Sequence, residues 1–244
     1  MAAGPVAEVA MNLIPLLQQL ADFDTALLAN TIGYIDSTPV SEWYMGGSIQ
    51  SLTPTVGPSV GVAMTMELDS SSPDNVASAE LYYEMLKQIE RTPEPVMLVI
   101  KAAGSRPDHE CILGDGMAKM LHSVGCVGVV TDGGVRDLEG ILSVPFGVYA
   151  RGRTIHHTPL RFTRINLPVS VGGISVAPGE IIHANAGGVI KLPRSSLERL
   201  PALATEMRSF ESAAHGVFRR TDLSVDEKRK AINELLVRSS FGRA

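Results

Sequence analysis

The chain has 244 residues, 45% hydrophobic, 19% charged and 5% aromatic, with 23 glycines, 15 prolines and a formal net charge of −5. That length buries a full core, and the apolar fraction with so small a net charge excludes a largely disordered chain. An acidic, aromatic-poor composition argues against a nucleic-acid surface, and no apolar run reaches the roughly 18–20 residues of a membrane helix. The first twenty residues are apolar but lack a basic opening and contain Glu8, so no cleaved export signal is expected. Cys111 and Cys126 make neither a disulfide framework nor a zinc set. A reducing cytoplasm is the expected compartment.

In chain order, the apolar spacing predicts a helix over residues 7–20 and a second over 25–35, opened by Asp24 as N-cap. Residues 37–59 are rich in Gly, Pro and Ser and read as an ordered loop or short irregular strands. A strand follows over 60–68, a turn over 70–74, and an amphipathic helix over 76–90. The continuous apolar run at 95–101 predicts a fully buried strand. Residues 114–125 read as a tight turn feeding a helix that stops at Gly125, and 127–131 as a second buried strand. That strand ends in Asp132-Gly133-Gly134, with a helix expected over 135–142. Strand, helix, strand, helix at this spacing predicts a parallel βαβ core. Short strands are expected at 147–150, 160–167, 174–182 and 189–192, and closing helices at 197–213 and 224–238. No repeat or composition shift divides the chain, so residues 1–244 are expected to form one domain, with helices within 1–36 and 194–244.

Parallel α/β architecture gathers ligands where strands end and helices begin. Two such junctions stand out. Gly114-Asp115-Gly116-Met117 offers glycines for close backbone approach and helix-start N–H groups suited to a carboxylate or phosphate. In the second, Arg136 can grip a carboxylate in two-pronged fashion, and Asp137 offers oxygen to Mg²⁺ or Mn²⁺. Asp115 and Asp132 could add oxygen directly or through water. Each motif alone reads as an ordinary turn, cap or surface ion pair; their pairing on consecutive junctions suggests a metal-assisted anion site.

Asp115, twenty intervening residues and then Arg136-Asp137 resemble the signature of the class II pyruvate aldolases typified by 4-hydroxy-4-methyl-2-oxoglutarate aldolase, whose fold is shared by the regulators of ribonuclease activity A. Residues 24–30 resemble the family's opening helix, and Gly57-Pro58 with 60–66 its first sheet strand. Residues 146–152 and 167–180 are similar to its later strands and turn. The resemblance implies a swivelling β/β/α fold assembled as a trimer or hexamer. It implies that residues 114–117 hold a pyruvyl carboxylate through backbone N–H groups, that Arg136 grips the same unit and acts in catalysis with Asp115, and that Asp137 ligates the metal. Asp115 would act on the cation mainly through water. The implied reaction is retro-aldol cleavage of a 4-hydroxy-2-oxo acid to pyruvate, with oxaloacetate decarboxylation alongside. A sugar-acid dehydratase, another enolate-forming lyase and a non-catalytic ribonuclease-binding protein are the alternatives.

The chain departs from the family in two places. Asn185-Ala186-Gly187-Gly188 stand where acidic residues precede the last strand, and His156-His157 stand in a usually Gly-rich run. The family also takes an acidic residue from a neighbouring subunit, for which Glu198 and Glu211 are candidates. His156-His157 read first as a surface turn, Lys119 as a solvated helix residue, and Cys111 as buried apolar filler. The Arg219-Arg220 and 228–230 basic cluster reads as a wet helix face.

Overall fold

The computed structural model describes residues 12–242 except 75, 77 and 158. The helical expectation for residues 7–11, Glu8 and the chain ends therefore lie outside the described residues. Two helices open the described chain, α1 (Leu13–Leu20) and α2 (Thr25–Ile35). As the spacing predicts, the Asp24 carboxylate accepts from the Leu27 amide at 2.8 Å and caps α2. The Gly/Pro/Ser-rich passage is an ordered loop carrying a 3-10 turn at Val40–Glu42 and a two-residue strand, β1 (Gln50–Ser51).

The centre alternates strands and helices: β2 (Ser59–Leu68), α3 (Glu80–Arg91), β3 (Val96–Ala102), β4 (Cys111–Leu113), α4 (Asp115–Ser123), β5 (Cys126–Thr131), β6 (Gly134–Val135), α5 (Leu138–Ile141) and β7 (Gly147–Ala150). Beyond them come β8 (Gly152–Arg153), β9 (Phe162–Ile165), β10 (Val169–Val171), β11 (Ile174–Val176), β12 (Ile181–Asn185), β13 (Gly188–Leu192), α6 (Leu200–Phe218) and α7 (Val225–Arg238). The main sheet runs β1-β7-β5-β3-β2-β12-β13, with β9 also on β2. Its middle strands β7, β5, β3 and β2 are parallel, and β12, β13, β9 and β1 add antiparallel edges. The result is a mixed α/β fold with a parallel centre and flanking helices.

Burial follows the period of the strands. Leu98 and Ile100 on β3 face one way, into a core shared with Met85 and Ile89 of α3, Leu121 of α4 and Ile141 of α5. Met97 and Val99 face the other way, against Val169, Val171, Ile174 and Val176 of the β10–β11 hairpin. Both faces are covered, so β3 reads as one unbroken apolar run. A third cluster joins α1, α2 and α6 to Val60, Ile181 and Ile190 at the far end of the sheet.

Three expectations are corrected. The helix expected over 135–142 is reduced to the single turn α5. Gly134–Val135 is instead a strand, lying between Cys111–Leu113 and Gly152–Arg153 in a small all-parallel sheet. Backbone pairing to distant segments overrides local helix preference there. The strand expected over 174–182 is two strands, because Ala177-Pro178-Gly179 breaks it, with Gly179 at φ 85°. The helix expected from residue 76 begins at Glu80.

Close strand contact makes one glycine testable. A methyl group on Gly128 would lie 2.7 Å from the Gly147 carbonyl oxygen on the neighbouring parallel strand, and backbone cannot swing aside as a side chain can. Gly128→Ala is expected to destabilise the fold by about 2 kcal/mol, lowering the melting temperature by about 6 °C in a thermal melt.

Candidate active site

Gly114 lies in extended backbone (φ −123°) immediately before α4, whose first amides point outward without partners in the helix. Asp115 is the first helical residue, where a carboxylate complements the helix dipole. Its Oδ2 accepts from Lys119 Nζ at 2.7 Å, one helical turn on. That bond, helped by the Gly116 amide and the charge of Arg136, holds the Asp115 carboxyl below the ordinary range. Lys119 is exposed, as expected of a solvated helix residue, and is in addition the ion-pair partner of Asp115.

The second junction differs from its expected form. Arg136 and Asp137 do not sit inside a helix but in the link between β6 and α5. The Arg136 amide donates to the Leu113 carbonyl at 3.0 Å, tying this link to the strand that feeds α4. Asp137 occupies the left-handed region at φ 57°, ψ 40°, and its side chain makes no cap to α5. The carboxylate turns instead to Arg136, whose Nε lies 3.2 Å from Asp137 Oδ2. A non-glycine residue held in that conformation marks a locally constrained position.

Close packing brings the two junctions together. A methyl group on Gly140 of α5 would strike Asp115 Cβ at 2.7 Å, so α5 can approach α4 only because residue 140 has no side chain. Across the gap, a methyl group on Gly114 would lie 3.3 Å from Arg136 Nε and 3.5 Å from Asp137 Oδ2. A cleft of about 270 Å³ opens here. Gly114, Asp115, Gly116, Met117 and Arg136 line it, and Cys111, His157 and Leu160 complete its walls. Nothing lies within 4 Å of a methyl on Gly116, so packing does not demand glycine there.

Other expected groups fall elsewhere. Asp132 is buried and committed: it accepts from Lys101 Nζ and from the Ala102 amide at 2.9 Å. It is therefore not a spare oxygen for the site. Glu198 and Glu211, the candidates for a neighbouring subunit's site, lie outside this chain's own cleft: Glu198 is exposed and Glu211 accepts from Asn30 Nδ2 at 2.7 Å. Cys111 is buried as expected but also forms cleft wall, and burial pushes its thiol up, away from thiolate reactivity. His156 and His157 are exposed, and His157 reaches the cleft. Leu160 had no motif to announce it, and the contact at Gly140 had only the signal of a glycine inside an expected helix.

The donors suit a hard cation. Asp137 and Asp115 offer carboxylate oxygen; Asp115 lines the cleft, and Asp137, outside its lining, brings Oδ2 to 3.5 Å from a methyl placed on Gly114. Among the described residues no group of three or more His, Cys, Asp or Glu could hold a metal ion. A cation here would keep most of its ligands as water or bound substrate, as Mg²⁺ does and zinc in a closed site does not.

Residues 37–191 match the RraA-like family, described as Aldolase/RraA, and the chain belongs to that family. A protein of Halalkalibacterium halodurans provisionally named as a 4-hydroxy-4-methyl-2-oxoglutarate aldolase is 30% identical over 186 residues, covering 73% of this chain and 82% of the relative. An uncharacterised Pseudomonas syringae protein superposes with a TM-score of 0.68 at 18% identity, covering 94% of this chain and 99% of that one. Streptomyces coelicolor RraAS2, described as an unusual member of the RNase ES inhibitor RraA family, superposes at 0.65 and 18%, covering 88% and 99%. At such identities the two superpositions speak for the fold. Among the described residues no helix is long and apolar enough to cross a membrane.

Proposed function

We propose that this chain is a divalent-cation-dependent lyase that cleaves a 4-hydroxy-2-oxo acid by retro-aldol reaction to pyruvate, and that it also decarboxylates oxaloacetate. The observation that carries the reading is the meeting of Gly114, Arg136 and Asp137 around one point, within 3.5 Å of a methyl on Gly114. A 2-oxo acid presents a carboxylate and a keto oxygen side by side. The amides of residues 115–117 would receive the carboxylate, and the Arg136 guanidinium would hold the same unit from across the cleft. Asp137, with Asp115 acting through water, would hold Mg²⁺ or Mn²⁺. When bound, that cation supplies an electron sink for the negative charge that builds on the keto oxygen as the C–C bond breaks. Asp115 stays ionised through its Lys119 partner, which suits it to orienting water and makes it a poor proton acceptor at neutral pH.

The provisional aldolase name of the Halalkalibacterium relative supports this reading. A cytoplasmic homo-oligomer, trimer or hexamer, carrying one aldolase-like domain per chain completes the proposal. Pyruvate release from oxaloacetate and from a panel of 4-hydroxy-2-oxo acids, with and without Mg²⁺ or Mn²⁺, tests it; absence of metal-stimulated release from every substrate would overturn it. Arg136→Gln is expected to raise KM about 100-fold while the cation requirement persists, because a two-pronged contact to a carboxylate is lost. Steady-state kinetics against substrate and metal concentration would read both quantities.

A further inference from the structure

A second cleft, of about 430 Å³, lies at the carboxyl ends of β2 and β3 and is lined by Ser70, Ser71, Arg106, His109, Thr154 and His156. It adjoins the Arg136 cleft along the chain: His156 belongs to one and His157 to the other. Ligands of open parallel sheets gather outside these strand ends. No carboxylate lines this cleft. Among the described residues the Arg106 guanidinium has no acidic partner; its backbone is engaged, the amide donating to Ser71 Oγ at 2.8 Å and the carbonyl accepting from the His109 amide at 2.9 Å.

The floor is unusual. Glu110 is fully buried beneath it, and its Oε1 accepts from the amides of Ser70 at 3.0 Å and Ser71 at 3.1 Å and from Ser71 Oγ at 2.8 Å. The other oxygen, Oε2, has no partner. Ser70 is 6% exposed and lines the cleft, yet its hydroxyl, turned inward and itself buried, also lacks a hydrogen-bond partner. Buried polar atoms are nearly always paired, so an orphaned hydroxyl one side-chain rotation from a cleft points to a ligand that completes it. Its single torsion, χ1, sets whether it faces the cleft.

The groups around the cleft ask for different partners. Arg106 and the imidazole N–H groups of His109 and His156 suit a carboxylate. The buried Glu110 beneath the floor disfavours a bare anion there and favours a ligand that brings O–H donors. We propose that this cleft binds a small hydroxylated carboxylate, its carboxylate on Arg106 and its hydroxyls against Ser70 and Ser71. This site stands apart from the aldolase reading and does not depend on it.

Glycerate, propionate and inorganic phosphate are the probes, titrated by calorimetry and proton NMR of the histidine rings into the full chain carrying Arg136→Gln, so that the first cleft does not contribute. Glycerate is expected to bind at least about 10-fold more tightly than propionate and to shift the His109 and His156 ring signals. Adding Arg106→Gln, an exposed substitution, should weaken glycerate at least about 10-fold. Adding Ser70→Ala should leave propionate unchanged and bring glycerate close to it. Circular dichroism melts confirm that each variant is folded. Equal binding of glycerate and propionate, tighter binding of phosphate than of glycerate, or glycerate binding indifferent to Arg106→Gln would each overturn the proposal.

Discussion

Asp137→Asn is expected to lower metal-dependent pyruvate release by at least about 1,000-fold while leaving the fold intact, a loss equivalent to about 4 kcal/mol of transition-state stabilisation. The choice of asparagine matters. Residue 137 sits at φ 57°, a conformation that Asn and Asp tolerate and that alanine does not. Asp137→Ala would therefore remove a carboxylate and strain the β6–α5 link together, and its lost activity could come from either cause. Asn keeps the shape and the backbone and removes only the charge. Arg136 Nε, now 3.2 Å from the carboxylate oxygen, would face a neutral amide oxygen instead. Pyruvate release measured across a Mg²⁺ and Mn²⁺ titration, with calorimetry for cation binding and a thermal melt for folding, separates these effects. Chelation of the wild-type protein should reproduce the loss, and restored metal should reverse it. Full activity in Asp137→Asn would remove this residue from the proposed metal site.

The local chemistry of the two junctions was largely legible in sequence, and their meeting was not. The apolar run at 96–100 and the Val-rich stretch at 127–131 are short, β-branched and bounded by Pro or Gly, the marks of strands covered on both faces, and the parallel centre follows from them. Gly114 before a helical period likewise marked the start of α4. The small sheet of β4, β6 and β8 left no such trace. Strands of two or three residues are too short to show a period, and their pairing depends on amides and carbonyls far apart in sequence, such as Arg136 to Leu113 and Thr154 to Val135. That pairing lifts Arg136 and Asp137 out of the helix that local spacing implied and turns them toward Gly114. Gly140 could have been noticed as a glycine inside a predicted helix, a position that costs stability unless close packing needs it. Asp132 shows the reverse limit: beside a Gly-Gly turn it looked available, yet Lys101 from the neighbouring strand claims it. The orphaned Ser70 hydroxyl and the buried Glu110 depend on three loops folding over one another, which no local pattern encodes.

Acidification from pH 7 to pH 4 is expected to remove about 3 kcal/mol of stability through His183 alone. This histidine is fully buried on β12, with Thr25 Oγ1 3.0 Å from Nδ1 and the Leu20 carbonyl oxygen 3.2 Å from Nε2. A carbonyl only accepts, so Nε2 carries the proton and Nδ1 accepts from the Thr25 hydroxyl. The neutral ring is satisfied on both sides. Burial pushes its pKa from 6.5 down to about 4, against the smaller pull of the Leu20 and Phe23 carbonyls and the Asp24 charge. In the unfolded chain the same imidazole titrates near its ordinary value. Between about pH 6.5 and pH 4 the unfolded state therefore binds a proton that the folded state does not, and stability falls as pH falls through that window. Above it the contribution is complete. His183→Gln, which retains a donor and an acceptor, should flatten the slope whatever it does to stability at pH 7. Urea midpoints at pH 7, 5.5 and 4 for both proteins read the difference, since every other titrating group is common to the two. Parallel curves would mean that His183 is not the proton acceptor that couples the joint between α1, α2 and β12 to pH.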